Sequence, residues 1–330
     1  MKLGVYTASL HDKPLSEALD DIKKLGLEGA EINSGGFLQT PHIPMRELLK
    51  SESARSEYLG LYADKDVELT ALNCNGNPLD PTAVGEAHSQ DIFDSIAVAA
   101  HLGLKRVITM SGSPGSEASS TIPVWNVLPW HSAFLQIQDY QWNEVAIPFW
   151  KRVQEFAADH DVRVCIEMHP GNVVFNPRTM ERLVTEIKAT HVGAEMDPSH
   201  LFWQGIDPTK AVESLGGLVY NAAAKDTRIN PISKVNGNID DSFRLVKEGE
   251  PDWLPLGGDY SLGGWPVNAS WDFVAVGKGN DVNWWRGFLR ALEAIDPNMA
   301  INIEHEDHEM GQWEGLEYAA NTLKEAAGRA

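Results

Sequence analysis

Three short stretches of the chain gather acids and histidines at spacings that suit catalysis. In Ile166-Glu167-Met168-His169-Pro170-Gly171 an acid and an imidazole stand two residues apart, and therefore on one side of an extended strand. The second stretch is Glu195-Met196-Asp197-Pro198-Ser199-His200, and the third is Ile301-Asn302-Ile303-Glu304-His305-Glu306-Asp307. Each carries its acid at the end of an apolar, strand-like run. Carboxylates on three separate strands meet only if the fold brings those strand ends to one place. Where they do meet, their oxygens suit a hard divalent ion, Mn²⁺ first and then Mg²⁺, with Co²⁺ or Zn²⁺ as further candidates.

The elements needed for such convergence are legible along the chain. Apolar strand-like runs occur near 2–7, 28–32, 67–73, 105–110, 162–168, 191–196, 218–224 and 299–304, most of them followed by helical periodicity. Leu15 to Leu25 carries apolar residues at helical spacing, Gly26 ends the helix, and Leu27-Glu28-Gly29-Ala30-Glu31-Ile32 opens the next strand. Similar units run from Ile92 to Leu102 before Gly103, and from Val145 to His160 before Val162. Eight such strands, with no glycine-rich dinucleotide turn after the first, predict one (β/α)₈ TIM barrel over residues 1–330 rather than an open doubly wound sheet. Two long connections, Ser111 to Tyr140 after strand four and Thr227 to Val282 after strand seven, are rich in Gly, Pro and Trp and read as lids over one site.

Composition narrows the partners. Twenty-seven Lys and Arg against 47 Asp and Glu give a formal charge of −20, which repels a phosphate backbone and argues against nucleic acid. A hydrophobic share of 43% and a charged share of 22% are those of a globular protein. No run approaches the roughly 20 apolar residues that cross a bilayer, and no signal-peptide pattern precedes the first strand, so a cytoplasmic location without membrane attachment is expected. Cys74 and Cys165 are isolated and are expected to be buried thiols. Trp125, Trp130, Trp142, Trp203, Trp253, Trp265 and Trp271 fall in or beside the predicted loops, where indole rings suit the C–H faces of a sugar or an aromatic aglycone and serve equally as lid anchors.

With these motifs in place, the sequence resembles the xylose isomerase-like TIM barrel superfamily, in particular its sugar phosphate isomerase/epimerase group. The resemblance is carried by Asn75-Gly76-Asn77-Pro78-Leu79, Glu167-Met168-His169-Pro170-Gly171, the run from Asp197 to Pro208, Ala224-Lys225-Asp226-Thr227 and Ile303-Glu304-His305-Glu306-Asp307. It implies a divalent metal held by Glu167, Asp197 and Glu304, with His200 contacting substrate. His169, Asn75, Lys225, Trp130 and Trp203 are the further substrate-binding candidates. Strand seven departs from the pattern: the family's His-x-His-x-Lys-Asp is here Asn221-Ala222-Ala223-Ala224-Lys225-Asp226, so the fourth ligand position is Ala223. Either a water, Asn221 or His169 completes the sphere, or metal is bound weakly or not at all; three clustered carboxylates without a counter-charge favour a retained ion. Strand parity also puts Glu195 one layer below the site, where Lys225 could pair with it or reach instead toward substrate.

What the resemblance implies for activity is proton abstraction next to a carbonyl. Glu167 and Glu304 would serve as base and acid around an enediolate, and His200 would polarise a substrate oxygen, giving sugar isomerisation or epimerisation. The same first step on a 3-keto-glycoside leads to β-elimination, making the enzyme a lyase or deglycosidase. A non-catalytic sugar-binding barrel is the third reading, kept open by Ala223, and phosphodiester cleavage is disfavoured by the absent histidines and the acidic surface. The expected partner is thus a small sugar or glycoside, in a protein that forms a homo-oligomer or takes a small partner subunit.

Overall fold

The computed structural model describes residues 1–240, 242–251 and 253–329. Eight parallel strands close into one barrel: Lys2–Tyr6, Gly29–Asn33, Glu68–Asn73, Arg106–Met110, Arg163–Glu167, Val192–Met196, Val219–Ala224 and Ala300–Ile303. Closure is made by the first and last, with Lys2 opposite Ala300 and Val5 opposite Ile303. All eight runs read from the sequence are strands, with ends displaced by a residue or two.

Local chemistry explains the units. In the helix Leu15–Lys24 the buried Leu15, Ala18, Leu19 and Ile22 form one stripe against the sheet. Gly26 then takes φ 74°, a left-handed conformation that turns the chain into the second strand. Pro177–Ile187 starts with proline at its first turn and a capping box between Asn176 and Thr179. Cys74 and Cys165 are buried free thiols. Among the described residues no helix is long and apolar enough to cross a membrane.

Two sequence expectations change. The helical unit expected from Val145 begins at Ser132 and runs through a π-helical segment, Tyr140–Ala146, into Ile147–Asp159. Its first two turns bury no side chain, so no core-facing stripe announced them. The connection after strand seven is not a plain loop: Asp226–Ile229 pairs antiparallel with Trp271–Val274, and Pro255–Gly257 pairs with Tyr260–Ser261. Asp226 pins this lid to the barrel. Its carboxylate accepts hydrogen bonds from the backbone N–H of Gly277, Gly279 and Asn280 at 2.9, 3.2 and 3.0 Å, from the Asn280 side chain at 2.7 Å, and from the Trp285 indole at 3.3 Å.

The barrel interior holds an unusual polar layer where bulky aliphatic side chains are the norm. Glu31 accepts from Asn73 at 2.8 Å and from Asn302 at 2.9 Å, while Glu195 accepts from Asn221 at 2.8 Å, all of them buried. Gly4 makes room for this layer, since a Cβ there would lie 2.3 Å from Asn302 Oδ1. Of the two arrangements open to Lys225, a pair with Glu195 or a reach toward the mouth, the structure has the second. Lys225 lies one residue beyond the end of strand seven and reaches across the barrel mouth, leaving Asn221 as the partner of Glu195.

Candidate active site at the barrel mouth

Each of the central side chains sits at or just past the C-terminal end of a strand, the position where barrel enzymes carry their chemistry. Glu167 is the last residue of strand five. Its Oε2 accepts from Asn75 Nδ2 at 2.5 Å, and its Oε1 lies 3.1 Å from His200 Nε2. Asp197 follows strand six directly and accepts from the Ser199 backbone N–H at 2.8 Å and the Ser199 hydroxyl at 2.9 Å. That turn starts the short helix Ser199–Phe202, which swings His200 back so that Nε2 stands 3.3 Å from Asp197 Oδ2. Asp197 thus both shapes the turn and faces the site.

Glu304 follows strand eight and is fixed by its backbone N–H, which donates to the Ala224 carbonyl at 3.0 Å. Across from it, the buried Lys225 ammonium donates to Glu306 at 2.7 Å, stands 3.5 Å from Glu304, and lies 4.4 Å from the centre of the Phe273 ring.

Burial and charge push these groups apart in proton affinity. Burial opposes ionisation of Glu167, but the neighbouring His200, His169 and Lys225 hold its carboxyl below the usual range, at about 2. Glu304 goes the other way: burial, with the charges of Glu167 and Asp197, raises it well above the usual carboxylate range against the pull of Lys225. Burial also lifts Asp197 to about 7. His200 is lowered to about 3 by burial and by the nearby His169 and Lys225, so its imidazole is neutral at physiological pH. Two carboxyls of opposite bias around one neutral imidazole are the equipment of acid–base chemistry.

The donor set fits a divalent cation. His200 Nε2 is buried, lies close to two carboxylates and makes an aligned hydrogen bond to neither, which is how a lone pair stands when it shares a centre with them. Donor atoms of Glu167, His169 and His200 lie within 4.8 Å of one another, the one group of this kind among the described residues. The His169 ring is held by a 2.6 Å contact from Nδ1 to the Pro170 carbonyl and packs on His200 with ring centres 4.0 Å apart. His169, two residues past the end of strand five, therefore has its second ring nitrogen available where Ala223 offers no donor.

One cavity of about 880 Å³ gathers most of the expected residues: Asn75, Glu167, His169, His200, Trp203, Lys225 and Glu304 all line it. Asp197 is buried beside His200. Two residues fall elsewhere. Asn221 is turned to Glu195 one layer below, so it is not placed to fill the gap at Ala223. Trp130 is 91% exposed and outside the cavity, because the helix beginning at Ser132 carries its segment away from the mouth. Tyr6, Phe273, His305 and His308 line the cavity and were not singled out. Tyr6 ends strand one, a position the strand-end rule would have flagged. His305 and His308 stand in the acid-rich run after strand eight.

This closed barrel carries acids and imidazoles at or just past the ends of strands five, six and eight, the arrangement of a (β/α)₈ barrel with one candidate site at its mouth. The profile of the xylose isomerase-like TIM barrel family matches residues 19–326, and the chain belongs to that family. It is 34% identical over 330 residues to the uncharacterized protein YfiH of Bacillus subtilis (strain 168), covering 98% of this chain and 99% of that one. Its fold is similar to that of a D-tagatose 3-epimerase-like protein, with a TM-score of 0.63 and 19% identity over 99% of this chain and 97% of the other. It is similar also to the IOLI protein with a bound zinc atom, at a TM-score of 0.60 and 17% identity, covering 100% and 99%.

Proposed function

We propose that the protein is a divalent-metal-dependent sugar isomerase or epimerase that removes a proton from the carbon next to a carbonyl. The observation that carries this reading is the opposite bias of Glu167 and Glu304 on the floor of one cavity, with neutral His200 in contact with Glu167.

Glu167, Asp197 and Glu304 would hold the ion, with His200 or His169 completing the set in place of Ala223. When bound, the ion supplies positive charge to the oxygens of the enediolate. The ionised Glu167, oriented by the Asn75 amide, takes the proton from the substrate carbon. Glu304 returns a proton from its own side of the substrate: to the same carbon for epimerisation, to the neighbouring carbon for isomerisation. His200, neutral and fixed by the turn at Asp197, orients a substrate oxygen. Lys225 keeps one positive charge beside Glu304 throughout, which eases the cycling of that carboxyl between charged and neutral forms.

A second reading, β-elimination from a 3-keto-glycoside, uses the same proton abstraction followed by loss of the glycosidic oxygen. The open, apolar outer part of the cavity favours it, because a leaving group needs room above the carboxylates. The test is turnover of free ketoses, ketose phosphates and 3-keto-glycosides in D₂O, with products read by NMR. Deuterium at one carbon of an intact sugar supports isomerase or epimerase chemistry; a released aglycone moves the assignment to the lyase. Tight sugar binding with neither outcome leaves a binding barrel. We also infer a cytoplasmic location, supported by two buried cysteines kept as free thiols.

A further inference from the structure

The cavity changes character from floor to wall. Its floor carries Asn75, Glu167, His169, His200, Lys225 and Glu304. Its outer walls, from the segment after strand two and from the lid after strand seven, are built of Leu38, Ile239, Phe243, Leu254, Leu262 and Trp265. The first five offer no polar side-chain atom, and the Trp265 indole N–H is directed to the Trp271 carbonyl at 3.4 Å. Ile239 is 72% exposed and Leu262 46%, so both keep much apolar surface uncovered by protein.

The physical chemistry of this wall selects what lies against it. A phosphate is favoured by a free cation, yet Lys225 is the one Lys or Arg among the described residues of the lining and is already engaged by Glu306 and Glu304. Asp240 and Glu306 on the same rim would repel the anion. A second sugar ring laid against these six side chains would leave the hydroxyls that face them unpaired, and each buried unpaired polar group costs about 1–3 kcal/mol. An apolar ring has no such cost and gains contact with aromatic edges: Phe243 and Trp265 meet edge to face at 5.1 Å, and Trp265 leans on Phe273 at 5.6 Å. The size agrees, since about 880 Å³ falls toward the upper end of the roughly 300–1,000 Å³ typical of small-molecule sites.

We propose that the outer half of the cavity is an aglycone subsite, and that the substrate is a keto sugar bearing an aromatic group through its glycosidic oxygen rather than a free or phosphorylated monosaccharide. This rests on the carbon-acid reading of the floor for its sugar half, but the aglycone half is tested without turnover. Phenyl and methyl glucosides of the same anomer, neither of them oxidised, are titrated calorimetrically into the full-length protein. The phenyl compound should bind at least about tenfold more tightly, as burial of one aromatic ring predicts. That ratio should fall to within about threefold in Phe243→Ser and, on the opposite wall, in Leu38→Ser, with melting curves checking that each variant is folded. Equal binding of the two glucosides, or an unchanged ratio in both folded variants, overturns the subsite. Hydrogen exchange on free ketoses separates the two claims. Exchange without a phenyl preference removes the subsite and keeps the floor chemistry; a phenyl preference without exchange on any keto sugar does the reverse.

Discussion

Glu304 and Lys225 form the contact on which the acid–base reading depends most, and each yields a measurement. Glu304→Gln keeps the volume and removes the proton carrier, so kcat should fall by about 10³ while the melting curve stays close to that of the parent. Normal turnover in that variant would sink the proposed mechanism. Lys225→Met takes the donor from Glu306 and from the neighbourhood of a largely protonated Glu304, which should destabilise the metal-free protein by about 1–3 kcal/mol, read by urea unfolding. Ala223→His supplies the side chain that the strand-seven pattern lacks. If it faces the ion, Mn²⁺ affinity by calorimetry should rise at least tenfold; unchanged affinity means that His169 already fills the role. At this scale the sequence was informative about identity and less so about pairing. The acids could be named because strand ends in a barrel converge wherever the residues lie in the chain. The pairing of Glu195 with Asn221 could not, since parity gives the side of a strand and not the reach of a lysine beyond its end.

At the scale of elements, the barrel strands were legible because each is a short apolar run bounded by turn residues. The lid was not. Its pairing of Asp226–Ile229 with Trp271–Val274 joins segments more than 40 residues apart, and no local pattern records such a partner. Trp130 was misplaced for a related reason: a tryptophan in a predicted loop is assigned to a face only by assuming where the loop goes. Asp226 is the element-scale test. Asp226→Ala removes an acceptor shared by four backbone N–H groups, those of Thr227, Gly277, Gly279 and Asn280, and two side chains, and should cost about 3 kcal/mol. Proteolysis should then open the lid near residues 227–282 before the barrel is cut, and a lid that stays resistant would show that Asp226 does not anchor it.

For the whole molecule, buried carboxyls make stability depend on pH in a predictable direction. Burial raises Glu31 and Asp197 each to about 7. Such groups favour the fold while protonated, so their contribution is complete below the ordinary carboxylate range and is lost as pH rises through about 7. His11 and His200, lowered by burial to about 4 and about 3, act oppositely, as do His42, His88, His101 and His305, but their contribution is complete once an unfolded histidine is neutral, above about pH 7.5. Above that pH the carboxyls set the slope. The metal-free protein should melt about 2–4 °C lower at pH 9 than at pH 7.5 in a calorimetric scan. Added Mn²⁺, which binds the ionised carboxylates, should raise the melting temperature more at pH 8 than at pH 6.5. A flat profile without metal would mean that these carboxyls are not the groups that titrate on unfolding.

At its N-terminal end the lid joins the barrel through a single residue. Strand seven ends at Ala224, the antiparallel ladder of the lid begins at Asp226, and one residue stands between them. That residue is Lys225, whose ammonium stands beside Glu304. Any tilt of the ladder would turn the peptide that carries the ammonium, so the hinge of the lid lies inside the candidate site. A molecule pressing on the far end of the lid would then change the distance between one positive and one negative charge.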